Sequence, residues 1–342
     1  MTTYKIVQAG CGHMANTWIT YALEREDTEI VAFVDLYEAA AAKMNETYGL
    51  SVPWFASVEE AIRQTGANMV FDATIPSAHL AVATAALEGG CHLMSEKPMA
   101  ASMEAAEQLA QLAGTKPELH YSIMQNRRYL KDIRALRELV ASGVIGKPGF
   151  VTADFFIGAH FGGFRDAMES PLILDMAIHT FDQARFIIGA NPVSVYCHEF
   201  NPEGSWYEGN AAAVCIFEFD NGAVFTYNGS WCSEGLRTTW EAEWRVAGSQ
   251  GTASWRDGAP YAEVVAPGQE ANFLLDYDRI EAPYTWHGRE GHHGCLDEMF
   301  LAIEEERSAE TSYMDNIYST AMVFGAIQSA KEQRKVMLLR VP

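Results

Sequence analysis

The sequence predicts an α/β domain over residues 1–125, followed by an α+β domain with a largely antiparallel open sheet over residues 126–342. Three observations predict this division. The 342 residues suffice for two domains. The first third alternates short apolar runs with amphipathic stretches. Beyond Asn126 that alternation gives way to runs rich in Phe, Val, Tyr and Trp, separated by turn residues.

In the first domain the apolar runs predict strands over 5–9, 30–34, 69–72, 92–94 and 119–124. Between them, Ala, Leu, Glu and Gln recur at helical spacing, as over 78–87 and 103–113. Strands interleaved with helices imply right-handed crossovers and a parallel sheet covered on both faces. In the second domain a helix is predicted over 129–142, closed by Gly143-Val144-Ile145-Gly146-Lys147-Pro148. Strands follow over 150–156, 192–198, 211–219, 223–230 and 240–247, with Asp220-Asn221-Gly222 as a hairpin signature. One apolar-periodic helix over 173–188 interrupts them, and helices over 295–306 and 316–333 close the chain, the last able to pack back on the first domain. There is no internal repeat and no low-complexity linker.

Composition narrows the function classes. With 24 Lys+Arg against 45 Asp+Glu, the net charge of −21 argues against nucleic acid and anionic membrane surfaces as partners. The start, Met1-Thr2-Thr3-Tyr4-Lys5-Ile6-Val7, carries no signal-peptide pattern, and no stretch reaches the ~18 apolar residues of a membrane span. Cys11, Cys91, Cys197, Cys215, Cys232 and Cys295 are scattered without C-x-x-C spacing, so reduced thiols, a cytoplasmic setting and no bound metal are expected.

The first strand ends in Gly10-Cys11-Gly12-His13-Met14-Ala15, a G-x-G-x-x-A that opens a helix. Gly10 permits the tight turn, Gly12 admits a pyrophosphate against the backbone, and Ala15 is small enough for the helix to press on the sheet. His13 and Met14 belong to this cradle, the side chains of Cys11 and His13 acting as spacers. Asp35 ends the second strand 20 residues beyond Ala15, where a ribose-binding carboxylate belongs. Together these define a dinucleotide-binding Rossmann domain. A carboxylate accepts from a 2′-hydroxyl and repels a 2′-phosphate, and Leu36-Tyr37 supplies no cation, which favours NAD over NADP.

The fifth strand runs into Ser95-Glu96-Lys97-Pro98, placing Lys97 where doubly wound sheets bind ligands; a plain surface lysine in a turn is the competing reading. Asp175, His179 and Asp182 fall at spacings of four and three on the helix over 173–188, among apolar neighbours. They read either as a general base with an orienting acid or as an ordinary helix-surface pair.

In this order, Gly10–Ala15, Asp35, Thr74-Ile75-Pro76-Ser77-Ala78-His79, Glu96-Lys97-Pro98, Asn126-Arg127-Arg128, Asp175…His179…Asp182 and Gly248-Ser249-Gln250-Gly251-Thr252 resemble the glucose–fructose oxidoreductase/inositol dehydrogenase/MocA family. The resemblance implies an NAD(P)-dependent dehydrogenase acting on a secondary hydroxyl of a sugar, sugar derivative or cyclic polyol. It implies that Lys97, Asp175 and His179 are the catalytic group, and that Thr74, Ile75, Pro76, His79, Glu96 and Asn126 line the cofactor path. The substrate hydroxyl would then sit between His179 and Lys97, either of which can take the proton. Two other readings stay open: redox-neutral, NAD-dependent glycoside cleavage, and a non-catalytic NAD-sensing regulator. The chain departs from the family pattern at Ser170-Pro171-Leu172, where glycines are common, and at Ile75 and Ala177, which reshapes the substrate pocket.

Further pocket candidates are His160 and Arg165, in a glycine-bearing loop over 158–170. Trp231, Trp240 and Trp244 are expected in the core or at a subunit contact, with stacking on a sugar ring as the alternative. His292-His293 opens a C-terminal helix and lacks metal-ligand company. An aromatic sheet face left uncovered in one chain implies a homodimer or homotetramer.

Overall fold

Strands joined through helices pair in parallel, strands joined by tight turns pair antiparallel, and the chain uses each arrangement in turn. The computed structural model describes residues 4–268 and 273–338, so the start at Met1–Thr3 lies outside the described residues. The chain divides into two compact units. Residues up to Gln125 group with His292–Thr320, and Asn126–Gly291 groups with the residues from Ala321 onward.

In the first unit, β1 (Tyr4–Ala9), α1 (Ala15–Glu24), β2 (Thr28–Val34), α2 (Glu38–Tyr48), β3 (Trp54–Phe55), α3 (Val58–Thr65), β4 (Met69–Asp72), α4 (Pro76–Glu88), β5 (His92–Ser95), α5 (Met103–Gly114) and β6 (Tyr121–Ile123) alternate as expected. The six strands are all parallel, in the order β3-β2-β1-β4-β5-β6. That order reverses between β1 and β4, opening a crevice at their carboxyl ends. Near-continuous apolar strands fill the core: Ile6, Val7, Phe33, Val70, Phe71 and Leu93 are fully buried.

The second unit opens with a 3₁₀ turn, Asn126–Tyr129, and α6 (Lys131–Ala141). After β7 (Pro148–Phe156), a π-helical turn, Leu172–Ala177, runs into α7 (Ile178–Ile188). Then come β8 (Pro192–Phe200), β9 (Ala212–Phe219), β10 (Val224–Ser230), β11 (Glu243–Gly248), β12 (Gly251–Trp255), β13 (Tyr261–Val265) and β14 (Tyr277–Glu281). The chain ends with α8 (Gly291–Glu304), α9 (Tyr313–Glu332) and β15 (Val336–Met337). The nine strands order as β14-β13-β12-β11-β7-β10-β9-β8-β15. Every pair is antiparallel except β7–β10, which is parallel along seven partners.

Three local expectations are corrected. The helix expected over 129–142 starts at Lys131, because residues 126–129 wind as the tighter 3₁₀ turn. The strand expected from 240 starts at Glu243, because Ala242 takes a left-handed φ of 66° and turns the chain. The single helix over 173–188 is a π-turn followed by an α-helix. One extra residue per turn leaves almost no trace in apolar periodicity, so the bulge is invisible in sequence.

Alternation gives the second sheet two faces. Phe217, Phe225, Tyr227 and Trp244 point inward, and Phe181 of α7 meets Phe217 at 4.8 Å and Tyr227 at 5.3 Å, both edge-on. Outward, Phe150, Tyr196, Phe200, Val214 and Ile216 stay exposed in a single chain. Near the end of β8, Glu199 accepts a 3.1 Å bond from Ser170 Oγ, which ties β8 to the segment preceding the π-turn. Its other oxygen is buried with no partner among the described residues.

Burial pushes the Glu199 carboxyl up from 4.5 to about 7, against the opposing pull of Ser170 and Lys331. The protonated form therefore favours the fold, and that contribution is lost as pH rises from 4.5 through about 7. Glu199→Gln should flatten the decline in denaturant midpoint across this window; an unchanged slope would refute the assignment.

Candidate active site

The first half of the site is built from backbone. Gly10 has φ +79°, and a Cβ there would lie 2.6 Å from Ala73 O, so only glycine fits where β1 turns beside the loop after β4. Its N–H donates to Val34 O at 2.8 Å. The buried Gln8 side chain donates to the carbonyls of Ala9 and Gly10, each at 3.0 Å, bracing the turn from beneath. At Gly12 a Cβ would meet nothing, and that open space is the approach a pyrophosphate needs. His13 is exposed, Met14 is half-buried and Ala15 is buried. The N-terminus of α1 has no side-chain cap and no acidic residue in its first turn, leaving its N–H groups to attract an anion.

Asp35 holds this loop. Its Oδ2 accepts from Cys11 N at 2.8 Å and its Oδ1 from Tyr37 N at 2.9 Å, with acceptor capacity to spare on each oxygen. Burial and the nearby Asp35 charge push the Cys11 thiol up to about 12, which suits a spacer rather than a nucleophile. These features fit a bound dinucleotide.

The loops after β4 and β5 are stitched together by buried polar groups. Asp72 accepts from Thr74 N at 3.1 Å and Thr74 Oγ1 at 2.6 Å through one oxygen, and from Ser95 Oγ at 3.0 Å through the other. Ile75 is exposed, and Pro76 starts α4. His79 is fully buried, its nitrogens 2.8 Å from Pro98 O and 3.3 Å from Thr74 O, so it positions both loops. Glu96 accepts from Trp18 Nε1 at 3.0 Å and Lys97 N at 3.3 Å, and His292 Nε2 stands 4.0 Å away. Lys97 is half-buried beside the buried Pro98.

In the second unit, the π-turn carries Asp175 and α7 carries the buried His179. Arg165 Nε donates to Asp175 Oδ2 at 2.6 Å, so the structure brings these two candidates together. His160 instead stacks on Trp206 with ring centroids 3.7 Å apart and bonds Glu234 at 2.7 Å. Asp182 has a partner outside its own helix. Both its oxygens are taken by Arg128, at 2.6 and 2.7 Å, in a buried bidentate pair. Asn126 begins the turn that carries Arg128.

The next residue back serves a different partner. Arg127 sits 3.3 Å from Glu241 and 3.6 Å from Met176 Sδ, and also donates to Trp240 O. Gln183 Nε2 donates to Glu241 at 3.0 Å. Burial pulls the Arg127 charge down and pushes the Glu241 carboxyl up, while each opposes the other's shift. Trp231 and Trp244 are core residues, 2% and 1% exposed, whereas Trp240 is 43% exposed. Among the described residues, no group of three or more His, Cys, Asp or Glu side chains is placed to hold a metal ion, and no helix is long and apolar enough to cross a membrane.

Gln8, Asp72, Arg128 and Glu241 had no assigned role in the sequence reading. Asp72 ends a strand as Asp35 does, and Gln8 is a polar residue in an apolar strand; both were readable signals. Glu241 offered none.

A family model described as an oxidoreductase family with an NAD-binding Rossmann fold matches residues 4–123, and one described as the GFO/IDH/MocA C-terminal domain matches residues 133–254. A D-apiose dehydrogenase from Rhizobium rhizogenes is 25% identical, with 98% of each chain covered. An inositol 2-dehydrogenase from Rhizobium meliloti is 24% identical, covering 96% of this chain and 97% of its own length. An oxidoreductase from Agrobacterium radiobacter, solved with NAD+, L-tartaric acid and magnesium, shares the fold with a TM-score of 0.84 at 21% identity over 98% of both chains.

Arg128→Met would remove both hydrogen bonds that the guanidinium gives the buried Asp182 carboxylate. The loss should be about 3–5 kcal/mol, read from guanidinium unfolding. A loss below ~1 kcal/mol would show the pair to be dispensable.

Proposed function

Because the chain belongs to the GFO/IDH/MocA oxidoreductase family, with its NAD-binding Rossmann domain, we propose that it oxidises a secondary hydroxyl of a sugar, sugar derivative or cyclic polyol. The observation that carries this reading is the Arg165–Asp175 pair on the π-turn that leads into the helix of His179. Relatives named D-apiose dehydrogenase and inositol 2-dehydrogenase support the substrate class.

Gly12, His13 and Met14 would hold the pyrophosphate through backbone N–H groups, with Gly10 making the turn that presents them, and Asp35 would accept from the ribose hydroxyls. Thr74, Ile75, Pro76, His79, Glu96 and Asn126 would shape or line the remaining cofactor path, His79 by positioning. The cofactor supplies a hydride acceptor when bound. Asp35 disfavours a 2′-phosphate, and its exposed neighbours Leu36 and Tyr37 carry no charge, so NAD is the cofactor proposed over NADP. His179 accepts the proton of the substrate hydroxyl through an imidazole nitrogen. Lys97, as an ammonium, stabilises the oxygen as negative charge develops on it. Asp175, held by Arg165, orients a neighbouring hydroxyl.

A panel of sugars, sugar acids and inositols, assayed for reduction of NAD and NADP, should give NADH with at least one ring substrate and a clear preference for NAD. Lys97→Ala and His179→Asn should each lower turnover by roughly 10²–10⁴-fold. Near-native turnover in either variant would remove that residue from the mechanism.

The exposed outward row of Phe150, Tyr196, Phe200, Val214 and Ile216 supports assembly through this sheet face into a homodimer or homotetramer. Sedimentation equilibrium should return a multiple of 37.8 kDa, and Ile216→Lys should shift it toward monomer. A wild-type monomer at micromolar concentration would overturn the assembly.

A further inference from the structure

Around the Arg165–Asp175 pair, three aromatic rings stand open to solvent: Trp240 at 43%, Phe161 at 47% and Phe164 at 69% exposure. Rings of this size normally bury their faces, and a cluster of exposed ones marks a surface made for contact. They form one surface. The Arg165 guanidinium carbon lies 5.1 Å from the Phe161 centroid and 4.7 Å from that of Phe164. Phe161 in turn lies 6.3 Å from Trp240 and 5.2 Å from the buried Trp231.

Trp240 is held in place. Its carbonyl accepts from Arg127, whose charge is matched by Glu241. The following turn is closed by Ala242 N donating to Thr239 O at 3.2 Å and Trp244 Nε1 donating to Glu241 O at 2.7 Å. On its other side, Thr238 N donates to Phe156 O at 3.1 Å, and Thr238 Oγ1 accepts from Phe156 N at 3.0 Å. The backbone that carries the exposed indole is thus anchored on both sides, and the ring projects from a defined position.

The arginines beside this surface are paired. Arg165 is matched by Asp175 and Arg127 by Glu241. A carboxylate or phosphate would have to compete with a carboxylate already in place for each of these cations. A neutral polyhydroxy ring meets a better complement. Its C–H face covers apolar rings, while its edge hydroxyls find acceptor capacity on Asp175 and the Arg165 Nη groups, which have no acceptor among the described residues.

Resting on the dehydrogenase reading above, we infer that Trp240 is a specificity-determining residue whose ring, with Phe161 and Phe164, selects uncharged six-membered polyhydroxy rings over sugar acids and open-chain polyols. A flat ring presents a continuous C–H face to the indole. An open chain must lose torsional freedom to do so, and a sugar acid brings a carboxylate to a platform whose adjoining Arg165 and Arg127 are already paired with Asp175 and Glu241.

The test compares methyl β-D-glucopyranoside and myo-inositol with D-glucuronate and D-sorbitol, by NAD reduction and by calorimetric titration of the NAD-bound protein. A neutral ring should exceed both comparators by about tenfold or more in kcat/KM and in affinity. Trp240→Ala should raise KM and Kd for that ring by about tenfold, with a smaller effect on kcat, and Trp240→Phe should recover most of the loss. Circular dichroism checks that both variants fold. Unchanged KM and Kd in Trp240→Ala, or comparators that match the ring, would overturn the inference while leaving the dehydrogenase reading intact. If no probe yields NADH, the activity reading fails, and the titrations still decide: a neutral ring bound through Trp240 sustains the platform, and no binding removes it.

Discussion

The buried ion pair between Arg128 and Asp182 is the constraint on which the second unit's site depends. A guanidinium and a carboxylate removed from water are stable only while their geometry is kept, and here both carboxylate oxygens are engaged at 2.6 and 2.7 Å. Rotating or sliding α7 would strand a charge in the core, so the helix has one seat. His179 lies one turn before Asp182 on that helix, so the ion pair also sets the direction of the imidazole. The neighbouring Arg127 reaches Glu241 and the Trp240 carbonyl from the same 3₁₀ turn. A single turn thus anchors both the helix of His179 and the loop of the exposed indole.

The first unit solves a different problem. A chain of net charge −21 must accept a cofactor that is itself anionic. Repulsion from distant surface carboxylates is screened beyond ~8 Å at physiological ionic strength, whereas N–H groups at a helix end act at contact distance. The cradle needs no lysine or arginine for this. What it needs is a backbone shape, and that shape comes from the steric demand at Gly10, the Gln8 brace and the bond from Cys11 N to Asp35.

This contrast explains what was legible in the sequence. The α/β architecture, the glycine cradle and Asp35 could be read because a backbone conformation imposes residue types at fixed spacing: glycine where φ is +79°, a small residue where a helix meets a sheet, an acid at a strand end. The second unit is specified by side-chain pairs far apart in the chain. Arg128 and Asp182 are 54 residues apart, Arg127 and Glu241 114 apart, and neither separation leaves a periodic mark. Helical spacing put Asp182 on the helix of His179, yet could not show that Arg128, beyond the helix, donates to both its oxygens. Trp231, Trp240 and Trp244 are alike in sequence, and the left-handed turn at Ala242 separates the exposed Trp240 from the buried Trp244.

The segment before Asp175 shows where the site is stiff. The family pattern commonly places glycines there, and this chain has Ser170-Pro171-Leu172. Ser170 is pinned to Glu199, Pro171 has a fixed φ, and Leu172 is fully buried. Each restricts backbone freedom that glycines would leave open, so Asp175 is presented by an ordered turn. The glycines of this region lie instead in the loop that carries Arg165, with Gly162 and Gly163 both at φ +69°. The acidic half of the Arg165–Asp175 pair is therefore fixed, and the basic half is borne by the more adaptable backbone. Under the proposed ring site, substrate fit in this unit is governed by how the Arg165 loop settles around a ring placed by Asp175 and Trp240.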